Sequence, residues 1–489
     1  MPPRWLPWAA VFATAWLALF PIASVDAYYH LATGRRILET RSIPTRGVGS
    51  ASFGQAPWHD NEWGFQALAA SIGRAERDPA SGVLLLTPAG RAGLVLLRAA
   101  VLAATMASLL ATMTRAGVGP GLAALGVWLA AFLTFGNLFW DIRPQILSFL
   151  FLAVLVDLLE RFRRGSGPAL YGALALLALW SNVHGAVVLG CLAIACEAAG
   201  AWLERDRRRA VTLSVAAAAA PIAACLNPLG WRQLAFAWDY ARHPEIVAGN
   251  NEWSRPDLLH LPLLVLTVLV LVVASVAGDR PRPGQIVRVV AFGALFLGAI
   301  RHLPLFAIVL VPVTMEALAR VGRLVPRRLP AVLAVAAGIV ALSGAKQIAL
   351  VPSFDERPSR PLPERHARFL ASQRIPGAGF NAYRFGGFLM FRLYPEERVV
   401  MDGRNDLYRS FRTDVYQPIL EGRPGWESLW DDVVRRYRIG WVLLDARDPL
   451  ATHLTQEAEW LPISDEMSGI VLFLPNTSSN RHAVERFAP

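Results

Sequence analysis

The sequence predicts a mainly α-helical, polytopic membrane bundle of about eleven spans followed by a C-terminal extracytoplasmic α/β domain. Of the 489 residues 54% are hydrophobic and only 17% are charged, which is typical of membrane proteins. Long apolar runs recur up to residue 351 and then stop. The formal charge of +11 comes from arginine clusters between these runs, so it indicates topology anchors and argues against a nucleic-acid binder.

The spans are predicted from apolar runs, because a helix that crosses a bilayer needs about 20 mostly apolar residues. The runs cover 5–24, 92–113, 118–136, 144–160, 168–182, 184–203, 210–226, 258–277, 285–300, 303–320 and 329–349. The first run follows a single Arg4 and is long enough to span, so we interpret it as a retained helix and not as a cleaved signal peptide.

The arginine clusters predict the orientation of the bundle. If the N-terminus is cytoplasmic, the clusters fall on the inner connections, while the short outer connections hold only Arg143 and Arg301. Short cytoplasmic loops carry such an excess of basic residues. An odd number of spans then places the domain at 352–489 outside the cell, and the domain at 1–351 in the membrane.

The first outer loop, 25–91, is long and contains two predicted amphipathic helices, Tyr28 to Glu39 and Glu62 to Arg74. A Pro/Gly/Ser-rich segment from Ile43 to Pro57 should be irregular. In the C-terminal domain we expect strands at Arg398–Asp402, Gly440–Asp445 and Gly469–Pro475, with helices near 364–374, 384–393 and 425–438. This mixture predicts a small α/β domain.

Unusual polar residues gather at or beyond the outer ends of the predicted spans. Polar groups near a membrane are costly and are therefore functional candidates. The set is Asp26, His30, His59, Asp60, Glu62, Asp141, Arg143, Asn182, His184, Asn227, Asn250, Asn251, Glu252, Asp257, Arg301 and His302. The inner acids Asp157, Glu197 and Glu316 are interpreted as helix-end or packing residues.

Asp26 and His30 follow the first span directly and are four residues apart, so on a helix they share a face. Our working hypothesis is that Asp26 is the reactive carboxylate of a membrane-embedded transferase. The structural alternative is that Asp26 caps an interfacial helix, with Tyr28 and Tyr29 as interface aromatics. The two roles are compatible.

A second group lies between Trp58 and Trp63, where His59, Asp60 and Glu62 could hold a divalent cation or share acid/base chemistry. The alternative, which we favour, is a helix start capped by Asp60 or Asn61 with Glu62 in the first turn. The candidate cation ligands of the loop are Asp26, His30, His59 and Glu62.

Arginines suit phosphate recognition, and two of them lie at outer helix ends. Arg143 enters the fourth predicted span, although a local pair with Asp141 explains it equally well. Arg301 and His302 occupy a very short outer turn and are the better candidates for binding a lipid phosphate or pyrophosphate.

Further candidates for binding sugar hydroxyls complete the outer set: Asn182, His184, Asn227, Asn251, Glu252 and Trp253. Trp253 could stack on a sugar ring or lie in the interfacial aromatic belt. For each of these residues a structural explanation is available as well. The turn with Asp402, Arg404 and Asp406 could also bind a ligand, but a solvated turn is the better account.

The order of several motifs resembles a group of bacterial multipass membrane proteins, mostly of unassigned activity, that look like GT-C class glycosyltransferases. The motifs are Asp26, His30, Gly34-Arg35, Ile43-Pro44, His59 to Trp63, Arg143-Pro144-Gln145, Asn182 with His184-Gly185, Asn227 to Trp231, Asn251-Glu252-Trp253, Arg301-His302, Phe380 to Tyr383 with Gly386-Gly387, and Met401 to Arg404. They cover most of the chain.

This resemblance implies an inverting transferase in the bacterial plasma membrane that uses a polyprenyl-phosphate-linked sugar on the outer face, with a glycan, lipid or protein acceptor. In GT-C enzymes an acid of the first loop is the catalytic base or a cation ligand, which matches Asp26. Many relatives carry paired acids there, whereas this chain has Ala27, so Glu62 is the candidate second acid.

Two other classes of function stay open. A non-catalytic membrane protein could bind glycan through its outer domain or scaffold an envelope assembly. A lipid or solute transporter is disfavoured, because alternating access places binding groups near the midplane of the membrane and not at the outer helix ends.

Overall fold

The computed structural model describes residues 2–134, 141–247, 251–256, 281–321, 356, 361–396, 398–465, 467–485 and 487. The predicted spans at 258–277 and 329–349, as well as Asn250 and Asp257, lie outside these residues. The described fold is mostly helical, with a small sheet near the C-terminus, as the sequence predicts.

The helices in chain order are α1 Leu6–Leu17, α2 Asp26–Thr40, α3 Trp63–Ile72, α4 Pro88–Arg115, α5 Pro120–Thr134, α6 Gln145–Arg163, α7 Pro168–Ser181, α8 Val187–Leu203, α9 Arg207–Ala224, α10 Arg232–Arg242, α11 Pro244–Val247, α12 Pro283–Gly298, α13 Leu303–Val321, α14 Glu364–Gln373, α15 Gly386–Arg392, α16 Asn405–Tyr408, α17 Gln417–Glu421, α18 Trp426–Tyr437, α19 Pro449–Gln456 and α20 Ser478–Val484. The strands are β1 Ala75–Arg77, β2 Leu84–Leu86, β3 Ala378–Asn381, β4 Ile439–Asp445, β5 Trp460–Asp465 and β6 Ile470–Pro475.

The chain divides into two compact units. The first, which we call the helical unit, comprises Met1–Pro21, Val95–Asp239 and Gly249–Phe354. The second, the mixed unit, comprises Ile22–Leu94, Tyr240–Ala248 and Asp355–Pro489. The first loop therefore folds with the C-terminal segment. The domain boundary expected from the sequence, after residue 351, instead groups this loop with the membrane domain.

The helical unit is built from apolar helices in close contact. Helix α8 packs on α9 and α12, and α5 packs on α1 and α13. At the α8–α12 crossing, a Cβ on Gly200 would lie 2.2 Å from the Cα of Gly284, so small residues let the two backbones approach. Two described helical stretches, Pro88–Arg115 and Ile300–Arg320, are long and apolar enough to cross a membrane.

A buried arginine fixes the chain where α1 ends. Arg98 is 0% exposed, and its Nε donates to the carbonyl oxygen of Ala18 at 3.0 Å. Its terminal nitrogens donate to the carbonyls of Phe20 and Pro21. Carbonyls past a helix C-terminus lack helical N–H partners, so this one guanidinium satisfies several of them in the protein interior.

The inner acids have arginine partners, in agreement with the packing role expected for them. Arg288 donates to Glu197 at 2.6 Å, and Arg161 donates to Asp157 at 2.7 Å. Glu316 accepts two bonds from Arg282, at 2.7 and 2.8 Å, and further bonds from Gln285 and Arg320.

In the mixed unit, α2 and α3 confirm the two helices predicted for the first loop. They cross closely: a Cβ on Gly34 would lie 1.9 Å from the backbone oxygen of Gln66. Helix α15 packs on the other side of α2, where Gly387 faces the Cβ of Tyr29. Helix α2 is therefore held between α3 and α15.

The sheet of the mixed unit has the strand order β3-β4-β6-β5, with β3 parallel to β4 and the other pairs antiparallel. Strands β4 and β6 agree with the predicted strands, while β3 and β5 were not predicted. The predicted strand at Arg398–Asp402 is wrong, because Val399 forms only isolated bridges, to Gly379 and Ser50. Beyond these bridges the chain enters a tight turn.

Candidate functional site

The candidate reactive carboxylate, Asp26, is the first residue of α2. The N-cap of the helix is Val25, so the interpretation of Asp26 as the N-cap is wrong by one position. The backbone N–H of Asp26 donates to Ser24 Oγ at 3.1 Å. A carboxylate in the first turn of a helix is stabilised by the positive end of the helix dipole. Gly403 lies against it, since a Cβ there would be 3.2 Å from Asp26 Oδ1.

The second candidate acid, Glu62, lies immediately before α3 and contacts α2. Tyr29 Oη donates to Glu62 Oε2 at 3.0 Å, and His30 Nδ1 lies 3.7 Å from the same oxygen. His30 is 2% exposed, and its ring lies 4.0 Å from the ring of Tyr29. Two consecutive residues of α2, Tyr29 and His30, therefore lie against Glu62. The structure thus brings together His30 and Glu62, two of the predicted site residues.

Asp60 adds a buried carboxyl group beside Glu62. It is 1% exposed, and its Oδ1 accepts the backbone N–H of Glu62 at 3.2 Å. Burial, together with the charge of Glu62, raises the pKa of Asp60 well above its ordinary value. A carboxyl with such a raised pKa next to a second acid is typical of functional sites. The sequence allowed Asp60 to be either a helix cap or an acid/base group, and its bond to the Glu62 N–H is compatible with both roles.

The C-terminal segment also contributes to the surroundings of Asp26. Burial, and next the charge of Asp26, raise the pKa of Tyr383 above its ordinary value. Its hydroxyl donates to Asn405 Oδ1 at 2.9 Å. The motif that contains Tyr383 is recognisable in the sequence, but its proximity to Asp26 depends on tertiary structure.

The turn after the predicted strand is buried, so the expected solvated turn is wrong. Asp402 is 0% exposed and Arg404 is 3% exposed, and they form an ion pair at 2.6 Å. Although burial acts in the opposite direction, the Arg404 guanidinium holds the pKa of Asp402 below its ordinary value. Trp58 Nε1 donates to Asp406 Oδ2 at 3.0 Å. These contacts fasten the turn, with Gly403, to the first loop.

A separate group of predicted residues lies in the helical unit. Arg143 forms an ion pair with Glu252 at 2.6 Å. The guanidinium of Arg301 lies 4.3 Å from the ring centre of Trp253, a cation–π contact, and His302 meets the same ring edge-on at 6.1 Å. The structure thus joins five predicted residues into two contacts: one ion pair and one aromatic cluster.

The remaining predicted residues have structural partners. Asn182 Nδ2 donates to the carbonyl of Leu226 at 2.9 Å, and Asn227 Oδ1 accepts the N–H of Leu229 at 2.7 Å. His184 Nδ1 lies 2.8 Å from Ser148 Oγ. The short 3₁₀ turn Asn251–Trp253 begins at Asn251. These contacts support the structural explanation for each residue without excluding a role in binding.

The candidate cation ligands fit a metal poorly. Across the residues that the structure describes, no three His, Cys, Asp or Glu side chains are grouped as a metal site would require. His30 and Glu62 are neighbours, whereas His59 is exposed.

Comparison with known proteins rests on structure, since no family model and no curated protein sequence matches the chain. The archaeal oligosaccharyltransferase AglB from Archaeoglobus fulgidus, in complex with an inhibitory peptide and a dolichol-phosphate, matches with TM-score 0.60 and 10% identity. The match covers 90% of this chain and 69% of that one. The chain has a GT-C fold.

Two further structures of the Archaeoglobus fulgidus oligosaccharyltransferase give the same result. The form tethered to an acceptor peptide with the NVT sequon matches with TM-score 0.62 and 11% identity. This match covers 90% of the present chain and 69% of the oligosaccharyltransferase chain. The complex with Zn and sulfate has TM-score 0.59 and 12% identity, with coverage of 90% and 68%. The resemblance inferred from the sequence motifs is therefore confirmed at the level of the GT-C fold.

Proposed function

We propose that the protein is an integral membrane glycosyltransferase that moves a sugar from a polyprenyl-phosphate donor to an extracytoplasmic acceptor. The observation that carries the proposal is the GT-C fold, which extends over 90% of the chain. One matching structure holds a dolichol-phosphate and another an acceptor peptide. A lipid-linked donor and a glycan, lipid or protein acceptor are the corresponding partners here.

The proposed topology is the one that the arginine clusters predict. About eleven spans cross a bacterial plasma membrane, with a cytoplasmic N-terminus and an extracytoplasmic C-terminal domain. The two long apolar helices support membrane insertion. The acceptor would then be a component of the cell envelope.

In the proposed reaction, Asp26 accepts the proton of an acceptor hydroxyl while the hydroxyl oxygen attacks the anomeric carbon of the donor sugar. The new bond joins this oxygen to the anomeric carbon, and the bond between the anomeric carbon and the lipid phosphate breaks with inversion. The phosphate leaves with the bonding electrons as a stable anion, so no strong general acid is required.

Ala27 occupies the position next to Asp26 where a second acid would lie, and we assign the role of second carboxylate to Glu62. Tyr29 donates its hydroxyl to Glu62 and the His30 imidazole lies 3.7 Å away, and both residues share α2 with Asp26. Because Tyr29 and His30 lie on a helix, the surroundings of the Glu62 carboxylate are set before a substrate binds. We assign Glu62 to positioning the acceptor hydroxyl next to Asp26.

For the donor phosphate, the proposed contacts are Arg301 and Arg143. A guanidinium binds phosphate oxygens through paired N–H donors. The cation–π contact with Trp253 restrains the position of the Arg301 guanidinium. Trp253 could at the same time contact a sugar face.

The test is sugar transfer from a radiolabelled panel of polyprenyl-phosphate sugars, supplied to purified full-length protein with candidate acceptors. We expect the wild type to consume at least one donor and Asp26→Asn to abolish this transfer. Asp431→Asn is the matched control, because Asp431 is an exposed acid on α18 in the same unit.

Full activity of Asp26→Asn would remove Asp26 from the mechanism. No turnover by folded wild type with any donor would contradict the proposed function and favour a non-catalytic role in the envelope. Loss of activity in Asp431→Asn as well would show that the assay reports folding and not chemistry.

A further inference from the structure

A second concave surface of the mixed unit lies apart from the residues of the candidate site. It is a cleft of about 770 Å³, within the range of small-molecule sites. One wall is the turn at 79–82 between β1 and β2, and a second is the segment 370–377 at the end of α14. The third wall is formed by residues 393–396 together with Arg398. We call it the arginine cleft, after Arg77, Arg374 and Arg398.

The charge of the cleft is positive. Arg374 and Arg398 are exposed, and Glu396 is the one acid among the described lining residues. The nearby carboxylate of Asp78 does not offset this charge, because it is paired with Arg368 at 2.7 Å and bonded to Ser81. The cleft therefore favours an anionic ligand.

The third arginine is held in place by the walls themselves. Arg77 Nη1 donates to the carbonyl of Gly82 at 2.9 Å, and Nη2 donates to the carbonyl of Tyr394 at 2.7 Å. These bonds use two of the five N–H donors of a guanidinium. Arg77 thereby connects two walls of the cleft.

The backbone of the cleft is restricted before any ligand binds. Gly82 and Gly377 have φ values of 78° and 93°, which glycine adopts without steric cost. At Gly377 a Cβ would lie 2.9 Å from Gly440, so a larger residue does not fit. Prolines at 79, 376 and 395 fix φ in each of the three walls. A preset surface loses little entropy on binding.

We propose that the arginine cleft binds an anionic oligosaccharide, such as a chain of uronic acids. Guanidinium groups pair with carboxylates through two parallel hydrogen bonds. The aromatic lining residues Tyr394 and Trp441 are only 5% and 3% exposed, so within the described lining they offer no open ring face for stacking a nucleobase. The volume admits several sugar units.

This binding does not depend on sugar transfer, because no lining residue of the cleft belongs to the candidate site at Asp26 and Glu62. The measurement is therefore direct binding to purified full-length protein in detergent, by calorimetry. The probes are tetragalacturonate, uncharged maltotetraose and a tetraglutamate peptide of equal charge.

We expect tetragalacturonate to bind at least about tenfold more tightly than either of the other probes, and to weaken with added salt. The double variant Arg374→Gln/Arg398→Gln should weaken this binding on the order of tenfold or more, because charge-assisted hydrogen bonds are lost. The control Arg447→Gln, an exposed arginine of the same unit outside the cleft, should change it by less than about twofold.

Equal binding of maltotetraose, or no binding of tetragalacturonate, would overturn the proposal. Equal binding of tetraglutamate would show a site for acidic peptides instead. If Arg447→Gln weakened binding as much as the double variant, the attraction would be general charge and not a site. Because both substituted side chains are exposed, the unfolding temperature of the double variant should equal that of the wild type. If it does not, the single variant Arg398→Glu is the second test. Tetragalacturonate binding that is retained in Arg398→Glu would overturn the proposal.

Discussion

The carboxylates of the helical unit and those of the first loop are held in different ways. Glu316, Glu197 and Asp157 accept bonds from guanidinium groups. In the mixed unit, Glu62 accepts a bond from a phenol and lies beside an imidazole, and Asp60 accepts a backbone N–H. Both sets are largely buried, so burial alone does not separate a structural acid from a reactive one.

The difference lies in the groups that surround each acid. A guanidinium fixes the geometry of its partner carboxylate through charge-assisted hydrogen bonds, which suits packing between helices. For Asp60, burial and the charge of the neighbouring Glu62 raise the pKa instead. The type of partner is therefore the better guide to function.

The largest effect should follow from breaking a network in the helical unit. Glu316→Gln removes the charge that balances Arg282 and Arg320, and breaking a buried pair costs about 3 to 5 kcal/mol at most. Because Arg282 keeps its pair with Glu160, we expect the loss to lie at or below the lower end of this range. The measurement is the thermal unfolding of the purified protein in detergent. Glu421→Gln is the control, because its pair with Arg423 is exposed and contributes about 0 to 1 kcal/mol. Equal shifts for the two variants would contradict the structural role of the network.

The matching change in the first loop should affect activity and not stability. Glu62→Gln keeps the size of the side chain and can still accept the Tyr29 hydroxyl, but it loses the charge near His30. We expect transfer to fall on the order of a hundredfold, as for loss of a group that positions the reacting hydroxyl. Glu427→Gln, an exposed glutamate of α18, is the control. Unfolding as severe as in Glu316→Gln, or undiminished transfer, would make Glu62 a structural acid.

The sequence predicted the helices of both regions better than their contacts. Helices α2 and α3 follow from amphipathic patterns and agree within a few residues. Strand β5 was missed, because Pro462 is unfavourable within a strand and is tolerated there only since β5 lies at the sheet edge.

For the site, neighbouring residues were easier to find than distant ones. His30 and Glu62 were chosen from residue type and position, and the structure shows them in contact. The approach of Tyr383 and Gly403 to Asp26 depends on chain segments more than 350 residues away, and no local pattern records it. The partner of Arg143 was also distant, since Glu252 lies 109 residues further along.

The turn at 402–406 contains both kinds of acid, one paired with a guanidinium and one that is only buried. The pH dependence of stability should distinguish them. Asp402 is paired with Arg404, which lowers its pKa, so the stability it contributes is lost as pH falls. Burial raises the pKa of Asp406 from the ordinary 3.8 to about 6. Between these values the folded state holds a proton that the unfolded state has lost, so the stability contributed by Asp406 decreases as pH rises from about 4 to about 6.

Asp406→Asn stays neutral throughout this range and should remove that decrease, whereas Asp414→Asn, at an exposed position outside the turn, should leave it unchanged. The measurement is the unfolding temperature of the full-length protein against pH, taken as the difference between each variant and the wild type so that other titrating groups cancel. This is the smallest of the expected effects, because Trp58 can still donate to the amide oxygen of the variant. If Asp406 instead made the wild type more stable as pH rose, Arg404 would control the charge of both acids of the turn. The distinction between a carboxylate paired with a guanidinium and one that is only buried would then not hold within this turn.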